Sequence, residues 1–367
     1  MRLTRRNVTE ALLAAAAGGL VPAQAWPQAV VAPGPAAASP IPAPDEPPPP
    51  DSEVDGARDA HARLTAPVTL NGQGPFPFIV DTGASISCVS SKLAEQLGLP
   101  IAESRPVYTL VGYKPRPVAL IQEMRVGVRR QKRLSALALP IEEGKIDGVL
   151  AVDWLKGQRL TLDFDESRIA FARSQDESSK PEQVVVRARR WHGQLTLVDA
   201  ELAQTQITVI IDSGSEASLC NTPLVELLDR RQAILRPRQV VQMVTIIGES
   251  FSGELVYLPF LRLGGLQLGD VGVVHSDSQV FALWGLADKP AILLGMDLLR
   301  EFRAVALDFG RSHVRFDMRS ADQKCRQPPP ATGTDRPASC AATPAPATAS
   351  PTTVKPGSGA GAAQTTS

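Results

Sequence analysis

FIVDTGAS, residues 78–85, is an apolar run that ends abruptly at an acidic residue, Asp81. The pattern returns 131 residues later as VIIDSGSE, residues 209–216, with Asp212 in the equivalent place. In each copy the three apolar residues predict the end of a buried strand, and the glycine two residues after the acid permits a tight turn. A carboxylate at the edge of a core is costly on its own. Its repetition therefore indicates that the two acids serve a function together.

The chain contains two copies of one unit, because three matches recur in the same order. After the acidic turns, the first copy continues with DGVLAVDWL (147–155) and LTLDFDESRIAFA (160–172), and the second with AILLGMDLL (291–299) and VALDFGRSHVRFD (305–317). The offset between copies grows from 131 residues at the first acids to 144 at Asp153 and Asp297. The second copy therefore carries an insertion between these points, which we expect in a loop or hairpin.

Each copy is predicted to be mostly β. Residues 67–80, PVTLNGQGPFPFIV, indicate two strands joined by a turn at Asn71-Gly72. Short helices are predicted over residues 91–97 and 223–228, the second with Thr222 as its N-cap and proline at its first position. The pattern predicts two β-rich lobes related by a pseudo-twofold axis.

The ends of the chain have a different composition from its centre. Residues 1–25 combine three early arginines with a short apolar stretch and an Ala-Gln-Ala cleavage pattern, which predicts an export signal of the twin-arginine type; a plain secretory signal is the alternative. The predicted segments are the signal (1–25), a Pro/Ala-rich linker (26–59), lobe 1 (60–173), a connector (174–184), lobe 2 (185–319) and a disordered low-complexity tail (320–367). We expect an exported protein, periplasmic or secreted, without a stable membrane anchor.

The composition argues against several classes of partner. Lys and Arg together number 38, as do Asp and Glu, so the net charge gives no reason to expect a nucleic-acid partner. The four histidines are scattered and predict no metal site, and no cofactor is expected. Cys88 and Cys220 are predicted to be small buried hydrophobic residues, whereas Cys325 and Cys340 could pair in an oxidising compartment.

The two acidic turns predict acid–base chemistry if the twofold axis brings them together. Two carboxyl groups a few ångströms apart cannot both ionise cheaply, so Asp81 and Asp212 would share one proton. The ionised member would take a proton from water while the protonated member polarises a carbonyl group. Thr82 and Ser213 offer hydroxyls that could bond to backbone across the interface and lock both turns. The chemistry is peptide-bond hydrolysis by direct attack of water.

These residues resemble those of retropepsin-type aspartic proteases, over almost all of residues 62–318. The resemblance implies a mostly β fold of two tandem retropepsin-like (acid protease) β-barrel lobes with short helices. It implies Asp81 and Asp212 as the catalytic pair, supported by Thr82, Gly83, Ser213 and Gly214. The segments that pack beneath the acids would be Leu150-Ala151 and Leu294-Gly295, and Ala151 departs from the glycine that the family pattern expects.

The resemblance also implies hairpin flaps that close over a peptide or protein substrate. The candidates are residues 108–117 and 244–253, with Gly112, Tyr113 and Gly248 near their tips. Ordinary surface hairpins would have the same pattern, so a flap function is a hypothesis.

Two alternatives remain open from the sequence. An inactive two-lobed peptide- or cell-wall-binding protein of the same fold would explain Ala151 and the insertion in the second copy. Pairing of lobes across a homodimer would also assemble the acids, although pairing within a monomer is favoured because the two lobes are not identical. The pH optimum is open as well, since Ser215 stands where the first copy has Ala84 and could donate a hydrogen bond that lowers the pKa of the pair.

Overall fold

The computed structural model describes residues 50–141, 146–155, 157–175, 182–191, 194–197 and 200–319. The predicted export signal, most of the predicted linker, and the tail with Cys325 and Cys340 lie outside these residues. Both lobes belong to one compact unit that ends at Met318. Within the described residues, no helix combines the length and apolar character needed to cross a membrane.

Lobe 1 is built around an eight-stranded sheet. Two short strands come first in the chain, β1 (Ser52–Asp55), which lies outside this sheet, and β2 (Ala57–Arg58), which forms its edge. The remaining elements are β3 (Leu64–Leu70), β4 (Gln73–Val80), β5 (Cys88–Ser90), α1 (Ser91–Gln96), β6 (Ile101–Tyr108), β7 (Tyr113–Val126), β8 (Arg129–Leu139), β9 (Gly148–Leu150), a 3-10 turn (Val152–Trp154), β10 (Gln158–Asp163) and β11 (Arg168–Arg173). The sheet has the order β2-β3-β4-β9-β5-β8-β7-β6, and β3 also pairs with β7.

Lobe 2 repeats this plan. Its elements are β12 (Gln183–Trp191), β13 (Gln194–Leu197), β14 (Ala200–Leu202), β15 (Thr205–Gln206), β16 (Thr208–Ile211), β17 (Leu219–Cys220), α2 (Thr222–Arg231), β18 (Gln239–Val244), β19 (Ser250–Leu263), β20 (Leu266–His275), α3 (Gln279–Leu283), β21 (Ala291–Leu294), α4 (Met296–Leu299), β22 (Ala304–Asp308) and β23 (His313–Asp317). In both lobes the strand that carries the acidic turn pairs in parallel with the strand beneath it, β4 with β9 and β16 with β21.

The predicted local structure is largely confirmed, with two corrections. Asn71 (φ 50°) and Gly72 (φ 81°) form the predicted turn between β3 and β4, in the left-handed conformations that such a turn requires. In α2 the N-cap is Asn221 rather than Thr222, because the Asn221 side chain accepts a hydrogen bond from the backbone of Leu224. The helix also continues to Arg231, three residues beyond the predicted end.

A sheet shared by both lobes joins the two halves. Its order is β1-β11-β10-β22-β23-β12. The hairpin β10–β11 of the first copy and the hairpin β22–β23 of the second copy therefore lie side by side in this sheet. Strands β10 and β22 pair antiparallel, with Leu160 opposite Leu307. Residues 52–58, assigned by sequence to the linker, form β1 against β11 and β2 against β3, so the ordered fold begins earlier than the predicted boundary.

About half of the insertion in the second copy lies between β20 and β21, where lobe 2 has α3: 15 residues separate these strands (276–290), against 8 between β8 and β9 (140–147). Phe281 and Trp284 of this segment are buried against Leu219 and Leu293. The prediction of a loop insertion is therefore correct in position, but the inserted residues pack into the lobe and help to form its wall.

Candidate active site

The two acidic turns meet at the lobe interface. Asp81 follows directly after β4 and Asp212 directly after β16, and each backbone N–H donates to the strand beneath it. Asp81 donates to the Leu150 carbonyl at 3.0 Å, and Asp212 donates to the Leu294 carbonyl at 2.9 Å. The parallel strand pairs therefore fix both acids at the ends of buried strands, as the sequence predicted.

The side chains of Asp81 and Asp212 hydrogen-bond to each other. One carboxylate oxygen of Asp81 also accepts from the backbone of Gly83 (2.8 Å) and Ala84 (2.9 Å). The equivalent oxygen of Asp212 accepts from the second and third residues after it, at 2.9 and 3.2 Å. Each turn thus holds its own acid in place.

Gly83 and Gly214 are required because the opposing acid comes so close. A Cβ atom at Gly83 would overlap the carboxyl group of Asp212, and one at Gly214 would overlap the carboxyl group of Asp81. The two glycines therefore permit the approach of the acids across the interface.

Thr82 and Ser213 lock the two turns together as predicted. The Thr82 hydroxyl donates to the Ile211 carbonyl at 2.9 Å and accepts from the Ser213 N–H at 3.1 Å. The Ser213 hydroxyl donates to the Val80 carbonyl at 2.7 Å and accepts from the Thr82 N–H at 3.2 Å. Both side chains are buried, so this reciprocal pattern satisfies four backbone groups at the interface.

A serine and an aspartate support each turn from below, a role that the sequence analysis missed. Ser87 donates to Asp153 at 2.6 Å and accepts from the backbone N–H two residues before that acid, at 3.0 Å. Ser218 and Asp297 form the same pair at 2.7 Å, and Ser218 accepts the equivalent backbone bond at 2.9 Å. The repeat contains a signal for this serine–aspartate pair, because each serine lies six residues after the aspartate of its acidic turn.

Ala151 fits its position without changing the backbone. Ala151 has φ −98° and ψ −177°, and Gly295 in lobe 2 has φ −93° and ψ −175°. The two lobes differ in the space around these residues. A Cβ atom at Gly295 would lie 2.6 Å from the backbone carbonyl atoms of Ala217. Lobe 1 therefore accommodates a methyl group that lobe 2 cannot, and the support beneath Asp81 keeps its bond to Leu150.

Burial and mutual charge set the ionisation of the pair. Burial raises the pKa of Asp81 above its ordinary value, although hydrogen bonds from the Ala84 backbone and from Asp212 oppose the rise. Burial and the charge of Asp81 together raise the pKa of Asp212 well above its ordinary value. Ser215 contributes only its backbone N–H, because its hydroxyl donates to the Ala217 carbonyl at 2.7 Å. The suggested lowering of the pKa by the Ser215 hydroxyl is therefore wrong.

The pair lies in the wall of a cavity of about 750 Å³. Lobe 1 lines it with Cys88, Leu137, Leu139 and Val149, and lobe 2 with Leu219, Leu293, Val280 and Trp284. The two hairpins at residues 101–126 and 239–263 complete it. Leu110 from the first hairpin packs against the apolar cluster of lobe 2, and Ile247 from the second belongs to that of lobe 1. Each hairpin therefore covers the opposite lobe.

The predicted flap residues separate into those that line the cavity and those that do not. Gly248 and Tyr108 line it. Tyr113 is 58% exposed and stacks on Tyr108 with ring centroids 5.5 Å apart, and a Cβ atom at Gly112 would enter open space. Of the three predicted tip residues, Gly248 lines the cavity, whereas Gly112 and Tyr113 do not.

The hairpin tips are joined by polar contacts centred on Glu249. Its carboxylate accepts from the Thr109 hydroxyl at 2.9 Å and from Lys114 at 3.0 Å, and Arg116 lies 3.9 Å away. Burial alone would raise the pKa of Glu249, but the hydrogen bonds and positive charges hold it below its ordinary value. On the other side, Ser278 at the start of α3 donates to the Leu110 carbonyl at 2.9 Å.

A charged group beside the acids was not found from sequence. Arg63 pairs with Asp59 at 2.6 Å and donates to the Gly214 carbonyl at 3.3 Å. His61 lies 2.7 Å from Glu216. Asp59 had been placed in the linker, and His61 was one of four scattered histidines. These residues lie beside the acids because the turn at residues 59–63 brings the chain to the lobe interface. The sequence has no distinctive pattern for such a turn.

The family comparison agrees with this architecture. A family model described as aspartyl protease matches residues 66–154 and 198–298, which together make up more than half of the chain. The chain therefore belongs to the retropepsin-like aspartyl protease family, and the two matched regions fall in the two lobes. A search of curated proteins found no match.

Proposed function

We propose that the protein is an aspartic endopeptidase in which Asp81 and Asp212 form one catalytic pair. The observation that carries the proposal is the hydrogen-bonded, buried pair of carboxyl groups in the wall of an apolar cavity. The proposal includes export from the cytoplasm and action as a monomer on peptide or protein substrates. Membership of the aspartyl protease family supports the general reaction class.

The pair can hydrolyse a peptide bond without a covalent intermediate. Water attacks the carbonyl carbon and forms the new C–O bond, while one of its protons passes to the ionised carboxylate. The protonated carboxyl gives its proton to the carbonyl oxygen, which yields a neutral diol. As the diol collapses, the carboxyl that took the proton from water gives it to the amide nitrogen, the other carboxylate takes a proton from a diol hydroxyl, the C=O bond re-forms and the C–N bond breaks. The products are a carboxyl and an amine, and the pair again holds one proton.

The surroundings favour an extended, apolar segment of substrate. Hydrophobic side chains dominate the walls on both sides of the acids, and the two hairpins form part of these walls. Exclusion of water strengthens the electrostatic interactions of the pair with developing charge. We therefore expect cleavage within flexible, apolar stretches of unfolded proteins.

The pH dependence follows from the directions of the two shifts. Activity needs one proton on the pair, so it falls at low pH as the ionised member becomes protonated, and at high pH as the second proton is lost. Both pKa values are raised, and that of Asp212 the more strongly. The active range should therefore begin above the ordinary aspartate pKa and extend towards neutral pH.

The test is cleavage of a reduced, unfolded protein between pH 3 and pH 8 by the full chain. We expect Asp81→Asn and Asp212→Asn each to lower kcat/KM by at least about 10³-fold. The matched control is Asp229→Asn, because Asp229 is an exposed aspartate on α2 whose removal should leave kcat/KM unchanged. A statine-type inhibitor should block the wild type. A folded wild type that cleaves nothing at any pH would contradict the proposal and favour a binding protein of the same fold.

A further inference from the structure

The two halves of the site carry different charges. Arg63 and Asp59 form an ion pair beside the acids, with only 7% and 4% of their side chains exposed. The Asp59 carboxylate also accepts from the backbone N–H groups of His61 (2.9 Å) and Arg63 (2.8 Å). The pair is therefore part of a hydrogen-bonded turn that fixes the direction of the arginine.

The repeat places no second arginine at the matching position of lobe 2. Arg63 precedes Asp81 by eighteen residues, and Gln194 precedes Asp212 by the same number. Both are followed by Leu-Thr, so the alignment contains no gap between these points and the acids. The residue type is cationic in the first copy and uncharged in the second.

The arginine crosses from lobe 1 to the acidic turn of lobe 2. Its guanidinium donates to the carbonyl of Gly214, two residues after Asp212, and it lines the same cavity as both acids. Its positive charge lowers the pKa of Asp81, against the larger effect of burial. The pKa of Asp212 is raised by burial and by the charge of Asp81. Gly214, whose carbonyl accepts from Arg63, lies against the Asp81 carboxyl group, because a Cβ atom at Gly214 would come within 2.2 Å of it. The cation is therefore held on the Asp81 side of the pair, and a fixed cation near one member stabilises the charge of that member.

We propose that Arg63, oriented by Asp59, is a positioning residue that determines where the shared proton lies, with Asp81 ionised and Asp212 protonated. Asp81 would then take the proton from water, and Asp212 would give its proton to the substrate carbonyl. This assignment of roles rests on the proposed function. The distribution of the proton between the two acids does not, and it can be measured without turnover.

Other charged or titratable groups lie near the pair and contribute to the same field. They are His61 and Glu216, 2.7 Å apart on the cavity wall, Arg105, Tyr108 and Cys88 on the same wall, and Asp153 and Asp297 beneath the two turns. The two lower acids occupy equivalent places and therefore do not distinguish the lobes. Burial, followed by the charges of Asp153 and Asp81, raises the pKa of the Cys88 thiol, which therefore stays neutral.

The experiment compares three substitutions in the full chain. Arg63→Gln gives lobe 1 the uncharged residue of lobe 2, Arg63→Lys keeps the charge, and Asp59→Asn removes the partner anion while keeping an oxygen for the backbone bonds. Carbon-13 labelling of aspartate side chains allows Asp81 to be titrated by NMR, with its signal assigned from the Asp81→Asn spectrum. The pH profile of kcat/KM is recorded in parallel.

We expect Arg63→Gln to raise the apparent pKa of Asp81, and the acid limb of the pH profile, by about one pH unit. Arg63→Lys should stay close to the wild type, and Asp59→Asn should move the titration in the opposite direction, to lower pH. The exposed Arg168, which pairs with Glu53 and Glu166, provides the control Arg168→Gln, for which no change is expected.

A titration of Asp81 that is unchanged in Arg63→Gln would overturn the proposal, even if that variant is less stable, because Arg63 would then only hold the Gly214 loop. If Arg63→Gln does not fold, the shift in Asp59→Asn decides the question, and an unchanged or raised pKa there contradicts the proposal. A wild type without protease activity would contradict the proposed function alone, since the NMR titration still reports where the proton lies.

Discussion

Lobe 1 and lobe 2 share the hydrogen bonds that hold the acids and differ at three places around them. In both, the acidic turn accepts two backbone bonds, a hydroxyl crosses the interface, and a serine–aspartate pair lies below. The lobes differ at Ala151 and Gly295, at Arg63 and Gln194, and in the insertion that carries α3. The geometry of the acids is thus duplicated, whereas the charge and the cavity walls are particular to each lobe.

The comparison shows which positions can differ between the two lobes. Positions that fix the distance between the acids allow only equivalent residues, because both lobes must meet at one interface. Positions in the walls face substrate or neighbouring side chains and can change in one lobe without moving the other.

The strongest contrast between the lobes is expected beneath the acids. Gly295→Ala would place a methyl group 2.6 Å from the Ala217 backbone, so we expect the free energy of unfolding to fall by about 3 kcal/mol and activity to fall with it. Ala151→Gly removes a methyl group at the same backbone conformation and should cost about 1 kcal/mol. Chemical denaturation of both variants measures the difference. Equal losses in the two would show that the space around these residues is the same.

The hydroxyls that lock the turns should, by contrast, affect both lobes equally. Thr82→Val and Ser213→Ala each remove a buried donor and acceptor, and we expect each to lower the free energy of unfolding by about 2 kcal/mol. The controls are Thr82→Ser and Ser213→Thr, which retain the hydroxyls and should have small effects. Denaturation curves are measured for the four variants. A loss of stability in only one lobe would contradict the equal contribution of the two hydroxyls.

The smallest effect is expected at the contact between the hairpin tips. The pKa of Glu249 is lowered when the tips are in contact. The contact therefore stabilises this arrangement of the hairpins fully above the ordinary glutamate pKa, and the stabilisation is lost as the pH falls through the lowered pKa. Glu249→Gln should therefore raise KM about two- to threefold at neutral pH and have less effect near the acid limit of activity. Steady-state kinetics at both pH values measure this. Glu226→Gln, an exposed residue paired with Arg230 on α2, is the control, and equal changes in the two variants would contradict a role for the contact.

The sequence predicted the parts of the site that depend on the repeat. Asp81, Asp212, Thr82 and Ser213 lie together at the lobe interface, because equivalent positions that are close to a pseudo-twofold axis are also close to each other. The two hairpins at the cavity were expected on a different ground, because the family resemblance implied flaps and each candidate segment has a glycine near its tip.

The features that were missed depend on contacts between distant residues. Arg63 acts through an ion pair with Asp59 and a carbonyl 151 positions further along the chain, and no local pattern marks such a contact. The start of the ordered fold was placed too late because β1 has few apolar residues and is held by its pairing with β11. The insertion was expected in a loop or hairpin, whereas the segment with α3 is packed into the lobe and Trp284 lines the cavity.

The central claim is that one chain supplies both acids of a single catalytic pair, and the most direct measurement mixes two inactive variants. Asp81→Asn and Asp212→Asn are assayed separately and as an equimolar mixture, against the wild type and an unfolded protein substrate. We expect each variant to be inactive on its own. We expect the mixture to be inactive as well, because every molecule then contains one damaged pair. Recovery of activity in the mixture would show that the lobes pair between chains, and activity in either variant alone would contradict the shared pair.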